Sequence, residues 1–398
     1  MDQALAELLA HATLLDGTDT VATFDADGRV LARGAASPLQ VPPQDNSAMD
    51  GYAVRCAEIA DEGVVLPVSQ RIPAGSAGAP LAPGSVARIF TGAPIPAGAD
   101  AVVMQEDVEP DGERARILRV PAPGQWIRRS GEDVTRGATV LARGERLGPA
   151  ACGLAAGIGM DRLQVVRRPK VALFSTGDEL VMPGEVPPAH MKAGAIYNSN
   201  RFFLRALLLR LGCAVTDLGI VPDRRDATIE ALRTAAQSHD LILTSGGVSV
   251  GEEDHIKPAV EALGVLDLWQ IAMKPGKPFA YGKVGAAHFI GLPGTPVSSF
   301  VTFLLLVRPF LLGLQGARDL APVAVALPVH FDWPRADKRR EFLRVRRNAQ
   351  GGLDLFPNQS SGVLTSTVWG DGLADNPAGR TIARGDGVAF LPFADLLA

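Results

Sequence analysis

Between Lys170 and Gly313 the chain alternates short apolar runs with longer stretches of helical period, and no other feature narrows its fold as much. VALFS leads to RFFLRALLLRLG, AVTDLGIV to ATIEALRTAAQS, and LILTSGG to HIKPAVEALG. Strands alternating with helices of this length predict βαβ units, a parallel sheet and helices on both of its faces. HFIGLPG adds another strand and turn. A long apolar helix then runs from Pro296 to about Gly313, with Pro296 in the first turn, where a missing N–H costs nothing. Such a doubly wound sheet binds ligands outside the carboxyl ends of its strands.

The flanks read differently. From about Val41 to Gly148 the text is dense in Pro and Gly, with short runs such as VVLPVS, SVARIF and AVVMQED, which predicts an irregular β-rich module. After Gln315, VAVALPVHF, EFLRVRR, LDLFP and GVAFLPF predict a small barrel or sandwich. A chain of 398 residues exceeds the span of one core, so two or three domains are expected. Leu5, Leu8, Leu9 and Ala12 recur at helical spacing beside Asp2 and Glu7, the wrong charges for a targeting segment. The longest apolar run, Phe300 to Val307, is too short to span a bilayer. Cys56, Cys152 and Cys213 form no CxxC. With a net charge of −4, these features predict a cytoplasmic protein that binds neither membrane nor nucleic acid.

Chemistry concentrates at glycine-rich turns. In SGGVSVG (245–251), Gly246 and Gly247 allow close approach of a phosphate, and Ser245 and Ser249 can donate hydroxyl hydrogen bonds. Spacing alone leaves a plain strand-to-helix turn open, since neither GxGxxG nor a Walker pattern is present. Lys274 and Lys277 flank Pro275-Gly276, a turn that would hold two ammonium groups around an anion or, alternatively, leave them solvated. Carboxylates recur after turns: Asp45, Asp50, Glu132, Asp133, Asp178, Glu179, Asp223, Glu252, Glu253 and Asp254. They suit magnesium bridging substrate phosphates, or serve as caps and turn formers. KRREFLRVRR (338–347) alternates Leu343 and Val345 with Arg344 and Arg346. The arginines are expected on a solvated or interface face, with an anionic ligand as the other option. The six histidines show no HxxxH, and no GxSxG follows a strand, which counts against a histidine zinc site and a serine triad.

DNSAMDGYAV (45–54), RIFTGAPIPAGADAVVMQED (88–107), RRSGEDV (128–134), LFSTGDEL (173–180), YNSN (197–200), LILTSGGVSVGEED (241–254), KPGKPFAYG (274–282) and GLPGTPVSS (291–299) together resemble the MoeA family of molybdopterin molybdenumtransferases, seen also in the E domain of gephyrin. The resemblance implies a multidomain α/β plus β architecture. An N-terminal α/β region (1–168) with a β-rich insertion at about 51–134 precedes a central MoaB/MogA-like α/β domain (169–316) and a C-terminal β-barrel (317–398). It implies insertion of molybdenum from molybdate into the dithiolene of adenylylated molybdopterin, with release of AMP and a need for Mg2+. Ser245, Gly246, Gly247, Ser249, Asp254, Lys274, Lys277, Gly294 and Asp223 would hold the nucleotide and phosphates. Glu179 and Asp254 would bind the metal. Asp178, Asp50, Thr91 and Asp133 would complete the reacting site, Thr91 by donating its hydroxyl. The last three would face the central domain of the other subunit in a homodimer whose site lies at the interface. Transient contacts with the adenylyltransferase and with apo-molybdoenzymes would follow. Thr295 stands where many relatives have Asn. The same residues leave two alternatives, an adenylyltransferase and a non-catalytic molybdopterin-binding scaffold; the large flanking regions count against the first, and the intact lysines and carboxylates against the second.

Overall fold

A computed structural model describes residues 1–248 and 255–397. The N-terminal helix α1 (Asp2–Ala10) buries Leu8 in the core of the central domain, as the leucine spacing predicts. A six-stranded sheet follows, made of β1 (Gly51–Val54), β2 (Val64–Ile72), β3 (Val86–Ile89), β4 (Ala101–Met104), β5 (Val108–Asp111) and β6 (Arg114–Ile117), in the order β4-β1-β3-β2-β6-β5. Strand alternation divides its apolar residues between two clusters. Tyr52, Val54 and Val86 face one way, while Ala53, Ala87 and Ile89 face the other. Gly51 permits the close pairing of β1 with β4, since a Cβ there would lie 2.0 Å from the Val103 carbonyl oxygen. Helix α2 (Pro149–Gly157) then packs beside the antiparallel pair Thr18–Ala22 and Arg162–Val166.

The central domain comprises β7 (Lys170–Thr176), α3 (Asn200–Arg210), β8 (Ala214–Val221), α4 (Arg225–Ala236), β9 (Leu241–Ser245), α5 (Ile256–Leu263), β10 (Gly264–Gln270), β11 (Met273–Lys274), β12 (Pro278–Val284), β13 (Ala287–Leu292) and a continuous helix α6 (Pro296–Leu314). The sheet order is β8-β7-β9-β13-β12-β10. The first three pairs are parallel, as expected, and β9 and β13 are buried throughout, the pattern of strands covered on both faces. Helices α3 and α6 cover one face, and α4 and α5 the other. The sheet departs from the expectation of a wholly parallel one at β12, which is antiparallel to both β13 and β10. Val284 pairs with Ala287 across the two-residue turn Gly285-Ala286, and so short a connection permits only a hairpin. Helix α6 is longer than its apolar run suggests and would suffice to cross a bilayer by length and composition, but nearly all of it is buried as a core helix.

After α6 the chain forms β14 (Val325–Pro328), β15 (Arg340–Arg347), β16 (Leu353–Leu355), β17 (Gly372–Asn376) and β18 (Gly387–Pro392). Their order is β11-β15-β17-β18-β14, with β16 on the flank of β15. A bridge from Val329, just past β14, to Leu353 in β16 brings the two margins together into a barrel around Val345, Ala374 and Phe390. This closure overturns the expectation for Arg344, which is 1% exposed and not on a solvated face. The segment after β16 covers it. Arg344 donates to Ser366 Oγ (3.1 Å) and to the carbonyls of Phe342 (3.2 Å) and Ser360 (3.2 Å), and burial pushes its guanidinium down to about 10.

Candidate active site

Strand β7 is flanked by β8, reached through α3, and by β9, reached through α4, so the winding reverses beside it. Ligand clefts form at such a reversal. Here a cleft of about 670 Å³ opens at the carboxyl ends of β7, β9 and β13, lined by Thr176, Glu179, Ser245, Gly246, Gly294 and Pro296 among others. Four of the residues expected at the site, Glu179, Ser245, Gly246 and Gly294, therefore meet in one cavity. The loops after β9 and β13 approach so closely that a Cβ on Gly294 would lie 3.7 Å from Gly246 Cα. Gly247 adjoins them with φ +68°, where a Cβ would meet Ile256 Cγ1 at 2.5 Å and Thr176 Oγ1 at 2.9 Å.

Asn200 was not singled out as a site residue, yet it fastens this corner. Its Nδ2 donates to Ser245 Oγ (2.7 Å) and to the Gly294 carbonyl (2.8 Å), tying the first turn of α3 to the ends of β9 and β13. Asn198 lies on the same wall and accepts the Arg201 N–H at 3.2 Å through Oδ1, which fixes the orientation of its amide. The YNSN segment that carries both was visible only as part of the family resemblance. Gly362 of the C-terminal barrel also lines the cleft, and the Ser361 carbonyl accepts from Val297 N–H at 2.9 Å, anchoring the barrel loop to α6.

Exposed Asp178 and Glu179 border a second depression of about 490 Å³ that adjoins the first through Glu179. The Asp223 N–H donates to Asp178 Oδ1 at 3.4 Å, which ties the loop after β8 to the one after β7. Among the described residues, no three His, Cys, Asp or Glu side chains form a metal-binding group. Magnesium bound mainly through substrate phosphates and water needs only one or two carboxylates, and the rim meets that requirement. Ser249 and Asp254 lie outside the described residues.

The lysine turn differs from its expected arrangement. Lys274 lies in β11, which pairs with β15 of the barrel, and its ammonium contacts Glu341 Oε1 (3.0 Å) and Asp337 Oδ2 (3.4 Å) near the Trp333 ring. Two carboxylates on the barrel side, Glu341 and Asp337, balance Lys274. Lys277 is exposed and precedes Pro278, which lines the cleft. Glu341 is 1% exposed, and its other oxygen accepts from Trp333 Nε1 (2.8 Å) and Asn376 Nδ2 (3.2 Å). Next to it, Arg339 holds the Asp337 carboxyl well below the usual range.

Asp50, Thr91 and Asp133 belong to the N-terminal region and do not line the cleft of their own chain. The Thr91 N–H and hydroxyl both donate to Asp50 Oδ1, at 2.8 and 2.7 Å, so within one chain that hydroxyl already has its acceptor. The Thr91 N–H is the main reason the Asp50 carboxyl lies below its ordinary value. Asp133 is exposed, and its N–H donates to the Val41 carbonyl.

Three family profiles match the chain in succession: "MoeA N-terminal region (domain I and II)" over residues 1–159, "Probable molybdopterin binding domain" over 172–313, and "MoeA C-terminal region (domain IV)" over 326–393. A Haemophilus influenzae protein named molybdopterin molybdenumtransferase is 44% identical over 412 residues, covering 100% of this chain and 99% of the relative. The chain belongs to the MoeA family. A Nostoc molybdopterin molybdenumtransferase is 36% identical, covering 94% of this chain and 88% of the relative. The crystal structure of a MoeA protein from Pyrococcus horikoshii OT3 superposes with a TM-score of 0.84 at 30% identity over 98% of both chains. For this MoeA-family chain, the match to a solved relative extends through all three regions and not only the central sheet.

Proposed function

We infer that this MoeA-family protein acts in molybdenum cofactor biosynthesis, inserting molybdenum from molybdate into the dithiolene of adenylylated molybdopterin with release of AMP. The full-length relationship to proteins named for that transfer carries the reading. The cleft supports it physically. The glycines at 246, 247 and 294, without side chains, allow a phosphate to approach the backbone, Ser245 supplies a hydroxyl, and exposed Lys277 supplies an ammonium beside Pro278 at the margin. Asn200 keeps the glycine loops in register, so the ligand meets a preformed cradle. Glu179, with Asp178 and Asp223 beside it, would hold Mg2+, which when bound would neutralise charge on the phosphate being released. Lys274, oriented by Glu341, would act from the barrel side.

The proposal extends to a homodimer in which Asp50, Thr91 and Asp133 of one copy face the cleft of the other. Their absence from the cleft of their own chain supports that arrangement. A cytoplasmic location belongs to the same reading and fits three unpaired cysteines. The test is incubation of purified protein with adenylylated molybdopterin, Mg2+ and molybdate, followed by quantification of AMP and metal-loaded cofactor. AMP release that depends on molybdate is expected. Tight binding of the adenylylated pterin without turnover would refute the transferase assignment in favour of a scaffold.

A further inference from the structure

Helix α3 begins at the cleft with Asn200 and ends about 16 Å away with Arg210, at the opposite margin of the sheet. A second cavity, of about 440 Å³, opens there between the N-terminal region and the central domain. Among the described residues its lining includes Arg29, Arg146, Arg168 and Arg210, with Asp27 as the one acidic side chain. Part of this positive charge is explained by the fold. Arg146 donates to the carbonyls of Arg210 (2.9 Å) and Gly28 (3.3 Å), and Arg168 donates to the Gly212 carbonyl (3.0 Å). Both thereby satisfy groups at the end of α3, where a helix leaves carbonyls unpaired and carries about half a negative charge. Arg29, 5% exposed, is balanced by Asp19 at 2.7 Å.

Capping does not account for all of it. Among the described residues, Arg168 makes a single side-chain hydrogen bond, and the guanidinium of Arg210 makes none. Asp27 attracts Arg146, whose guanidinium burial holds below its ordinary value. Guanidinium groups left with spare donors around a concave surface match the oxygens of a phosphate in paired hydrogen bonds. We propose that this cavity at the carboxyl end of α3 is a second anion site, separate from the cleft, for a compact phosphate-bearing ligand of about the size of pyrophosphate. Arg168 and Arg210 contribute the free donors, and Arg146 adds positive charge beneath them.

The test is calorimetric titration of the full-length protein with inorganic pyrophosphate at constant ionic strength. Three proteins are compared: the unaltered chain, the double variant Arg168→Ala/Arg210→Ala, and Lys277→Ala at the cleft. Both arginines are exposed, so the double variant should fold; matching circular dichroism and melting curves without ligand would establish that it does. Saturable binding is expected in the unaltered protein and in Lys277→Ala, with Kd raised at least about tenfold in the double variant. Arg210→Ala alone removes no side-chain hydrogen bond in the described structure, and should weaken binding about threefold. No saturable binding in the unaltered protein would overturn the proposal. So would a loss confined to Lys277→Ala, which would assign the anion to the cleft. Neither result bears on molybdate-dependent AMP release, so this site and the proposed activity stand or fall separately.

Discussion

Glu341 is the buried side chain through which, together with Asp337, the barrel holds the lysine turn, and its removal can be worked out bond by bond. In Glu341→Gln, the amide oxygen can keep the Trp333 and Asn376 donors while its NH2 group turns towards Lys274. Lys274 then loses one partner but keeps Asp337 at 3.4 Å, and with its side chain 38% exposed it gains water. The expected cost is about 1 kcal/mol, the scale of a partly exposed pair. In Glu341→Ala all three donors lose their acceptor. Asn376 keeps the Arg380 carbonyl at 3.0 Å, whereas Trp333 Nε1 is stranded and a cavity opens in a buried position. Together these cost about 3–5 kcal/mol. Urea unfolding followed by tryptophan fluorescence separates the two cases. With m of about 2 kcal/mol/M, the midpoint of the barrel transition falls by about 0.5 M for Gln and about 2 M for Ala. A double-mutant cycle with Lys274→Ala should return a coupling of about 1 kcal/mol. Equal destabilisation by Gln and Ala, or a coupling indistinguishable from zero, would show that the network does not hold Lys274 as argued.

Two further outcomes are expected. His288 is buried beside Tyr281 (Nδ1 to hydroxyl 2.9 Å) and Phe310, and burial lowers its pKa from the ordinary 6.5 to about 4. The unfolded chain therefore takes up this proton at higher pH than the folded one. The stability at stake is complete above about 6.5 and is lost as pH falls towards 4, by roughly 3 kcal/mol. Melting temperature should fall more steeply between pH 7 and 4.5 in the unaltered protein than in His288→Gln; parallel profiles would refute this. For the proposed dimer, Asp50→Ala and Glu179→Ala should each be inactive, and equal mixtures dissociated and reassociated should regain about a quarter of the activity, because half the dimers then carry one intact site. No recovery, with mixed dimers demonstrated, would place both residues in the site of a single chain.

The parallel part of the central sheet was legible because β9 and β13 are buried on both faces and so read as unbroken apolar runs between turn residues. The hairpin of β12 was not, since Gly282 and Lys283 interrupt its pattern and its direction depends on a two-residue turn. Within the site, the glycines were legible by their chemistry at strand ends. Asn200 was not, because the importance of its amide comes from two loops 45 and 94 residues away in sequence. The partner of Lys274 lies 67 residues further along the chain and leaves no local trace. Arg344 follows the alternation of an exposed strand position, and only the closure of the barrel and the covering segment after it reverse that reading.

A modular view of the chain would treat the C-terminal barrel as an appendage that could be dropped from a self-sufficient catalytic unit. Two residues contradict that view: Met273 and Lys274 are spelled within the central domain but are hydrogen-bonded as a strand of the barrel. A truncation before β14 would therefore strip the lysine turn of its ladder and its counter-charge together. The smallest autonomous form of this enzyme should thus include the barrel, and any lineage that lost it would have had to rebuild the lysine turn by other means.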